Sequence, residues 1–175
     1  MSIFKLLVDW LKTIVTALVI VLVLHYFVFN LSTVQGDSMK PTLEENEWLF
    51  VNKIVYLIGS PNVGEVIIMK DPNGVPGKEK FFVKRIVGMP GDRIEISGQK
   101  LYRNGNLVDE PYTDTLIEDM DYGPEVISDG HYFVLGDNRH AGASEDSRSF
   151  NAVPKKLIQG RADFILWPIG KIEAL

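Results

Sequence analysis

The sequence predicts a mainly β protein, with one N-terminal transmembrane helix followed by an all-β domain built on a coiled or partly closed sheet. Three observations predict it. From Ile14 to Phe29 the chain is apolar except for Thr16 and His25. Beyond that run, short apolar or alternating stretches recur, separated by the Gly, Pro, Asn and Asp that punctuate turns. No later segment sustains a helical period. A length of 175 residues accommodates one domain and an anchor, since domains commonly run to about 100–200 residues.

Taken with its flanks, Leu6 to Leu31, the N-terminal run has the roughly 20 residues needed to cross a bilayer. It is apolar on every face rather than along one stripe, unlike a core helix of a soluble domain. Phe29-Asn30-Leu31 offers no small-x-small exit of the kind a cleaved targeting peptide carries. The expected organisation is a short cytoplasmic N-terminus over 1–12, a transmembrane anchor over 13–31 and an extracytoplasmic domain over 32–175. Lys5, Lys12 and the terminal amine precede the span and only Lys40 follows within range, which orients the N-terminus to the cytoplasm. The chain is thus expected in the cell membrane as a single-pass protein, with the lipid bilayer as a partner.

Strands are expected at Trp48–Val51, Val66–Met69, Phe81–Val87, Ile94–Ile96, Lys100–Tyr102, Leu107-Val108, Tyr132–Leu135 and Phe164–Trp167. Arg103-Asn104-Gly105-Asn106 carries Asn-Gly, a strong signal for a tight hairpin. Val153 to Ile158 fits one helical turn. Asp109 to Gly130 is acidic and reads as loop.

Composition narrows the chemistry. The absence of cysteine excludes disulfides, thiolate catalysis and cysteine metal sites. A net charge of −5 and no basic cluster argue against a nucleic-acid partner. His25, His131 and His140 are scattered, and none sits in the frame of a Ser-His-Asp triad. No metal or organic cofactor is expected.

Three blocks carry candidate chemistry. Gly36-Asp37-Ser38-Met39-Lys40-Pro41-Thr42 presents a serine in a short polar turn, with Gly36 permitting close backbone approach and Met39 and Pro41 giving an apolar wall. Phe81-Phe82-Val83-Lys84-Arg85-Ile86-Val87 is apolar on both sides, so Lys84 or Arg85 must enter or border a dry region. Only the lysine can give up its proton and act as a base. Gly136-Asp137-Asn138-Arg139, followed by Ser144-Glu145-Asp146-Ser147-Arg148, is either a bracing element or a plain turn with an exposed ion pair. Val34, Met39 and Val83 are either walls of shallow apolar pockets beside Ser38 or ordinary core.

These blocks, in this order behind one hydrophobic segment, resemble the type I signal peptidases, and in particular the short, Gram-positive-like members. The resemblance implies a serine endopeptidase with Ser38 as nucleophile and its own N–H as an oxyanion donor. It implies Lys84 as general base, Ser144 in contact with that lysine, and Asp146 and Arg148 holding the geometry. Gly36 stands where some members carry a serine or threonine donor, so that side-chain contribution to the oxyanion hole is absent and the second donor is not named. The linker from His140 to Glu145 is about two residues longer than usual, which bears most on Ser144. The implied partners are exported preproteins with small residues one and three before the cut. Two rivals are a self-cleaving Ser-Lys regulator like the SOS-response repressors, and a non-catalytic anchored β-domain for binding or assembly. The first would carry a DNA-binding domain where the span stands, and intact Ser38 and Lys84 speak against the second.

Overall fold

The computed structural model describes residues 3–75 and 77–175. Helix α1 spans Ile3–Val23 and continues as a π-helical turn over Leu24–Val28. Within this 26-residue stretch an 18-residue window has a mean hydropathy of 2.3 and is not buried against the remainder, so the stretch is long and apolar enough to cross a membrane. Its limits differ from the expected 13–31. The helix starts at Ile3, and Phe29, Asn30 and Leu31 already belong to strand β1 (Phe29–Thr33), where Phe29 stacks on Phe50. Their apolar character, which extends the hydrophobic run, is that of a sheet-packing strand.

The larger sheet holds β1, β2 (Trp48–Asn52), β3 (Val66–Lys70) and β4 (Phe81–Gly88). It is completed by β9 (His131–Leu135), β10 (Val153–Pro154), β11 (Ile158–Trp167) and β12 (Glu173–Ala174). Its order is β1-β2-β11-β3-β4-β9-β10, with β12 on the far half of β11, and every pairing is antiparallel. The smaller sheet runs β7-β6-β5-β8, from β5 (Arg93–Ser97), β6 (Lys100–Arg103), β7 (Asn106–Leu107) and β8 (Tyr122–Val126).

The burial of β3 explains why Val66-Ile67-Ile68-Met69 is apolar without alternation. Val66 and Ile68 pack into a cluster with Leu49, Val51 and Ile165, while Ile67 and Met69 pack into another with Ile86, Val134 and Ile158. A strand covered on both faces needs apolar residues at every position. β11 curls the sheet, since its register shifts three times against its neighbours. At Gly160 an added Cβ would lie 2.7 Å from Val51 Cγ1 and 2.8 Å from the Asn52 carbonyl oxygen, so only glycine lets β2 approach that closely.

The Asn-Gly hairpin joins β6 to β7, with Asn104 at φ 56° and Gly105 at φ 80°. The single turn expected over 153–158 is a 3₁₀ turn at Lys155–Leu157. Besides β1, the short strands β10 and β12 were not expected, and three further elements depart from expectation. β8 crosses the stretch read as loop, disguised by Gly123-Pro124, which a sheet edge tolerates. Helices α2 (Ile54–Ile58) and α3 (Ser147–Phe150) are too short to display a period.

Candidate active site

The segment after β1 is pinned at both ends before it reaches Ser38. Val34 N–H donates to the Glu47 carbonyl and Asn46 N–H returns to the Val34 carbonyl, both at 2.9 Å. Met39 and Leu43 are buried beneath the turn. Gly36 takes a left-handed φ of 78°, which turns the chain toward the sheet. From the other side, Asn138 clamps the turn: its backbone N–H donates to the Ser38 carbonyl at 3.1 Å and its Nδ2 to the Asp37 carbonyl at 3.0 Å. The Ser38 N–H makes no backbone hydrogen bond among the described residues.

Lys84 stands in the middle of β4, opposite Ile67, on the face it shares with Phe82 and Ile86. It is 2% exposed, and its Nζ lies 2.6 Å from Ser38 Oγ. Burial pushes the amine down to about 8, against the pull of the Asp146 and Glu145 carboxylates in the other direction. A neutral amine at hydrogen-bond distance from a hydroxyl can accept its proton.

Arg85 points to the opposite face and is also buried. Its Nε and Nη2 grip the Asp137 carboxylate, the latter at 2.6 Å, and Nη1 donates to the Gly64 carbonyl at 2.7 Å. Thr42 Oγ1 donates to the same carboxylate at 2.5 Å, and the guanidinium lies 4.1 Å over the Tyr112 ring. Of the two cations in this strand, one is thus held by a carboxylate and the other meets the serine.

Asp146 caps α3 and is 1% exposed. Arg148 holds it in a two-pronged pair, Nε and Nη2 each at 2.8 Å, and reaches Asp119 through Nη1 at 2.7 Å. Asp146 also accepts the Gly136 N–H at 3.2 Å. A buried, bidentate pair with a second carboxylate on the same guanidinium is far from a plain turn with an exposed ion pair.

Beside Ser38 and Lys84 runs an open groove of about 670 Å³ between the 31–39 and 79–84 segments, with Ala143 and Glu145 on its rim. Val34, Met39 and Val83 line it while also packing in the cluster around Leu49.

The family model described as "Signal peptidase, peptidase S26" matches residues 7–167. The chain belongs to this peptidase family. It is a serine endopeptidase by that membership and by its relatives. Signal peptidase I S of Bacillus subtilis (strain 168) is 38% identical over 182 residues, covering 97% of this chain and 94% of the relative. Signal peptidase IB of Staphylococcus aureus (strain N315) is 34% identical, with the same two coverages of 97% and 94%. A probable signal peptidase I-2 of Synechocystis is 35% identical over 94% of this chain and 75% of its own. A crystal structure of a signal peptidase I from Enterococcus faecalis V583 is similar with a TM-score of 0.49 and 27% identity, over 59% of this chain and 97% of that one.

Two expectations of S26 membership meet the geometry differently. Gly36 has open space where a side-chain donor would stand. Ser144 Oγ is buried but has no hydrogen-bond partner among the described residues, and the Lys84 amine bonds Ser38 alone. The hydroxyl instead packs against Gly136, where an added Cβ would collide with it and with the Ser38 carbonyl oxygen.

The histidines are engaged elsewhere. His131 Nδ1 meets the Asp129 carbonyl at 2.9 Å and His140 Nδ1 meets Glu118 at 3.2 Å. The sequence assigns no individual role to Asp137, Asn138 or Arg139. Arg139 is fully buried, with Nε on the Gly136 carbonyl at 2.7 Å and two prongs on Glu110. The available signal was a run of three hydrophilic residues directly after an apolar strand.

Proposed function

We propose that this S26 peptidase is a single-pass membrane protein that removes N-terminal signal peptides from exported preproteins, with Ser38 as nucleophile and Lys84 as general base. The observation that carries the reading is the 2.6 Å contact between Lys84 Nζ and Ser38 Oγ in a setting that holds the amine down to about 8. The substrate class is drawn from the names of the relatives, each of them a signal peptidase.

In the proposed reaction, Ser38 Oγ attacks the scissile carbonyl carbon while its proton passes to Lys84 Nζ. The Ser38 N–H faces the developing oxyanion. Lys84 then gives the proton to the leaving amine, releasing the mature protein and leaving an acyl ester on Ser38. A water that yields its proton to Lys84 attacks the ester carbonyl, and Lys84 returns that proton to Ser38 Oγ as the signal peptide leaves with its new carboxylate. The apolar walls at Val34, Met39 and Val83 favour small side chains one and three before the cut.

The α1 helix supplies the anchor, and Lys5 and Lys12 in its N-terminal half orient the N-terminus to the cytoplasm and the 32–175 domain outside. Asp146 and Arg148 brace the turn that holds Gly136, and through it the serine segment.

Purified protein in detergent, incubated with a preprotein beside its Ser38→Ala form, tests the reading. The variant should retain its fold and lose processing by orders of magnitude. Retention of more than a few per cent of the activity would reject the assignment.

A further inference from the structure

The groove beside Ser38 and Lys84 is built differently on its two sides. Val34, Met39 and Val83 make one side, and it is apolar. Successive residues of a strand face opposite ways, so Phe82 and Lys84 turn to the other side. There the Phe82 ring is fixed by stacking on Phe150, with 6.2 Å between centroids and 4° between planes. Lys80 Nζ lies 4.6 Å over the same ring and Lys84 Nζ 5.6 Å over it.

Glu145 stands across from Lys80 on this second side. Its neighbour Asp146 is locked by Arg148, which fixes the backbone that carries Glu145. The carboxylate lies 3.9 Å from Lys80 Nζ, longer than a hydrogen bond, with the two side chains 53% and 63% exposed. The other carboxylates lining the groove are already engaged, Asp37 with Lys40 at 2.9 Å and Glu79 with Lys70 at 2.6 Å. Lys80 and Glu145 therefore face each other across a gap that a third polar group can bridge.

The strand pairing sets which substrate residue reaches that gap. β3 pairs with β4 from Phe81 to Arg85, whereas β9 pairs with it only from Arg85 onward. The second edge of Phe81 to Lys84 is thus open to an extended peptide lying in the groove. Side chains one and three before the cut face Val34, Met39 and Val83, so the one between them faces Phe82, Lys80 and Glu145.

We propose that Lys80 and Glu145 form a specificity subsite for the substrate residue two before the cut, favouring an uncharged hydrogen-bonding side chain such as Gln over Asp or Lys. The inference rests on the proposed cleavage of preproteins at Ser38. An amide accepts from the ammonium and donates to the carboxylate at once. An Asp sets a second anion against Glu145, and a Lys sets a second cation against Lys80. Each charged residue also gains one partner, and both sites are exposed, so the penalty should be about two- to fivefold in kcat/KM.

Synthetic peptides with Ala one and three before the cut and Gln, Asp or Lys between them test the inference, with the full chain in detergent. The parent should cleave the Gln peptide fastest. In Glu145→Gln the Asp peptide should overtake the Lys peptide, and in Lys80→Gln the Lys peptide should overtake the Asp peptide. Absence of either reversal, or a parent that cleaves the Asp or Lys peptide as fast as the Gln peptide, overturns the inference. If Ser38→Ala is inactive in the same assay, the proposed function stands despite that result. Failure of the parent to cleave any of the peptides, or full cleavage by Ser38→Ala, overturns the proposed function and the inference together.

Discussion

Arg85 and Asp137 meet inside the protein, Nη2 to Oδ2 at 2.6 Å, each one residue away from a part of the candidate site. Arg85 follows Lys84 in β4, and Asp137 follows Gly136, against which Ser144 and the Ser38 carbonyl pack. The pair thus ties the strand bearing Lys84 to the turn packed against the Ser38 segment. Asp137→Ala should leave a buried guanidinium uncompensated and cost about 3–5 kcal/mol. Denaturant unfolding would read the loss. A combined Arg85→Met, Asp137→Leu replacement should recover much of that stability, and its failure to do so would show that Thr42 and Gly64 carry the junction.

The state of Lys84 sets a pH dependence for both rate and stability. If it is the base, the rate should rise with pH along a limb centred near 8, where the amine loses its proton. Lys84→Arg should be as inactive as Lys84→Ala, because a guanidinium keeps its proton. For stability, the unfolded lysine holds its proton up to its ordinary 10.5 and the folded one only up to about 8. The unfolded state binds more protons within that window, so the protein should gain stability as pH rises from about 8 to 10.5. Below 8 the full cost of burial is present, and at about 1.4 kcal/mol for each tenfold it comes to roughly 3 kcal/mol. Lys84→Met should therefore be inactive yet more stable at pH 7, with the gain shrinking toward pH 10.5. Equal melting of variant and parent at pH 7 would mean that burial does not hold the amine below its ordinary value.

Gly136 is the point of closest approach between three segments. Gly136→Ala would push its methyl into Ser144 Oγ and the Ser38 carbonyl oxygen, so one of the two must retreat. Displacing the serine segment even slightly is costly for a reaction that depends on alignment, and the rate should fall by about a hundredfold. Pairing the change with Ser144→Ala removes one of the obstacles. Partial rescue in steady-state cleavage is expected, and complete rescue would locate the whole clash at Ser144.

Asp146 and Arg148 are testable as a pair rather than as charges. Asp146→Asn keeps the shape but weakens the two-pronged grip, whereas Arg148→Lys cannot reproduce the fork at all. Both should lower the melting temperature and the cleavage rate, with Asp146→Ala the most severe. Asp119→Ala, which removes only the outer, partly exposed partner of Arg148, should cost about 1 kcal/mol or less. An Asp119 variant as damaged as the Asp146 one would move the centre of the brace outward.

What was legible in the sequence depended on the range of the interaction that fixed it. β3 could be read because burial on both faces leaves a local signature, four apolar residues in a row. The β6–β7 turn could be read because Asn104 and Gly105 tolerate positive φ. Lys84 stood out because a cation in an apolar strand is costly wherever the strand goes. The Arg85–Asp137 pair could not be read, since its members are 52 residues apart and only the folded sheet brings them together. β8 was hidden by Gly123-Pro124, whose turn chemistry outweighed the strand pattern in a local reading. The open hydroxyl of Ser144 depends on the path of a loop, and a loop's length does not reveal its path.

The chain passes from the π-helical turn at Val28 into β1 at Phe29 with no intervening residue. A shaft joined to a blade in this way transmits torsion. Each residue of an α-helix turns it by about 100°, so one residue inserted within α1 would swing the sheet to a different azimuth about the helix axis. Four added residues would return it nearly to its starting bearing. Cleavage of membrane-inserted precursors should follow that angular rhythm as residues are added one at a time, falling at one and two and recovering at four.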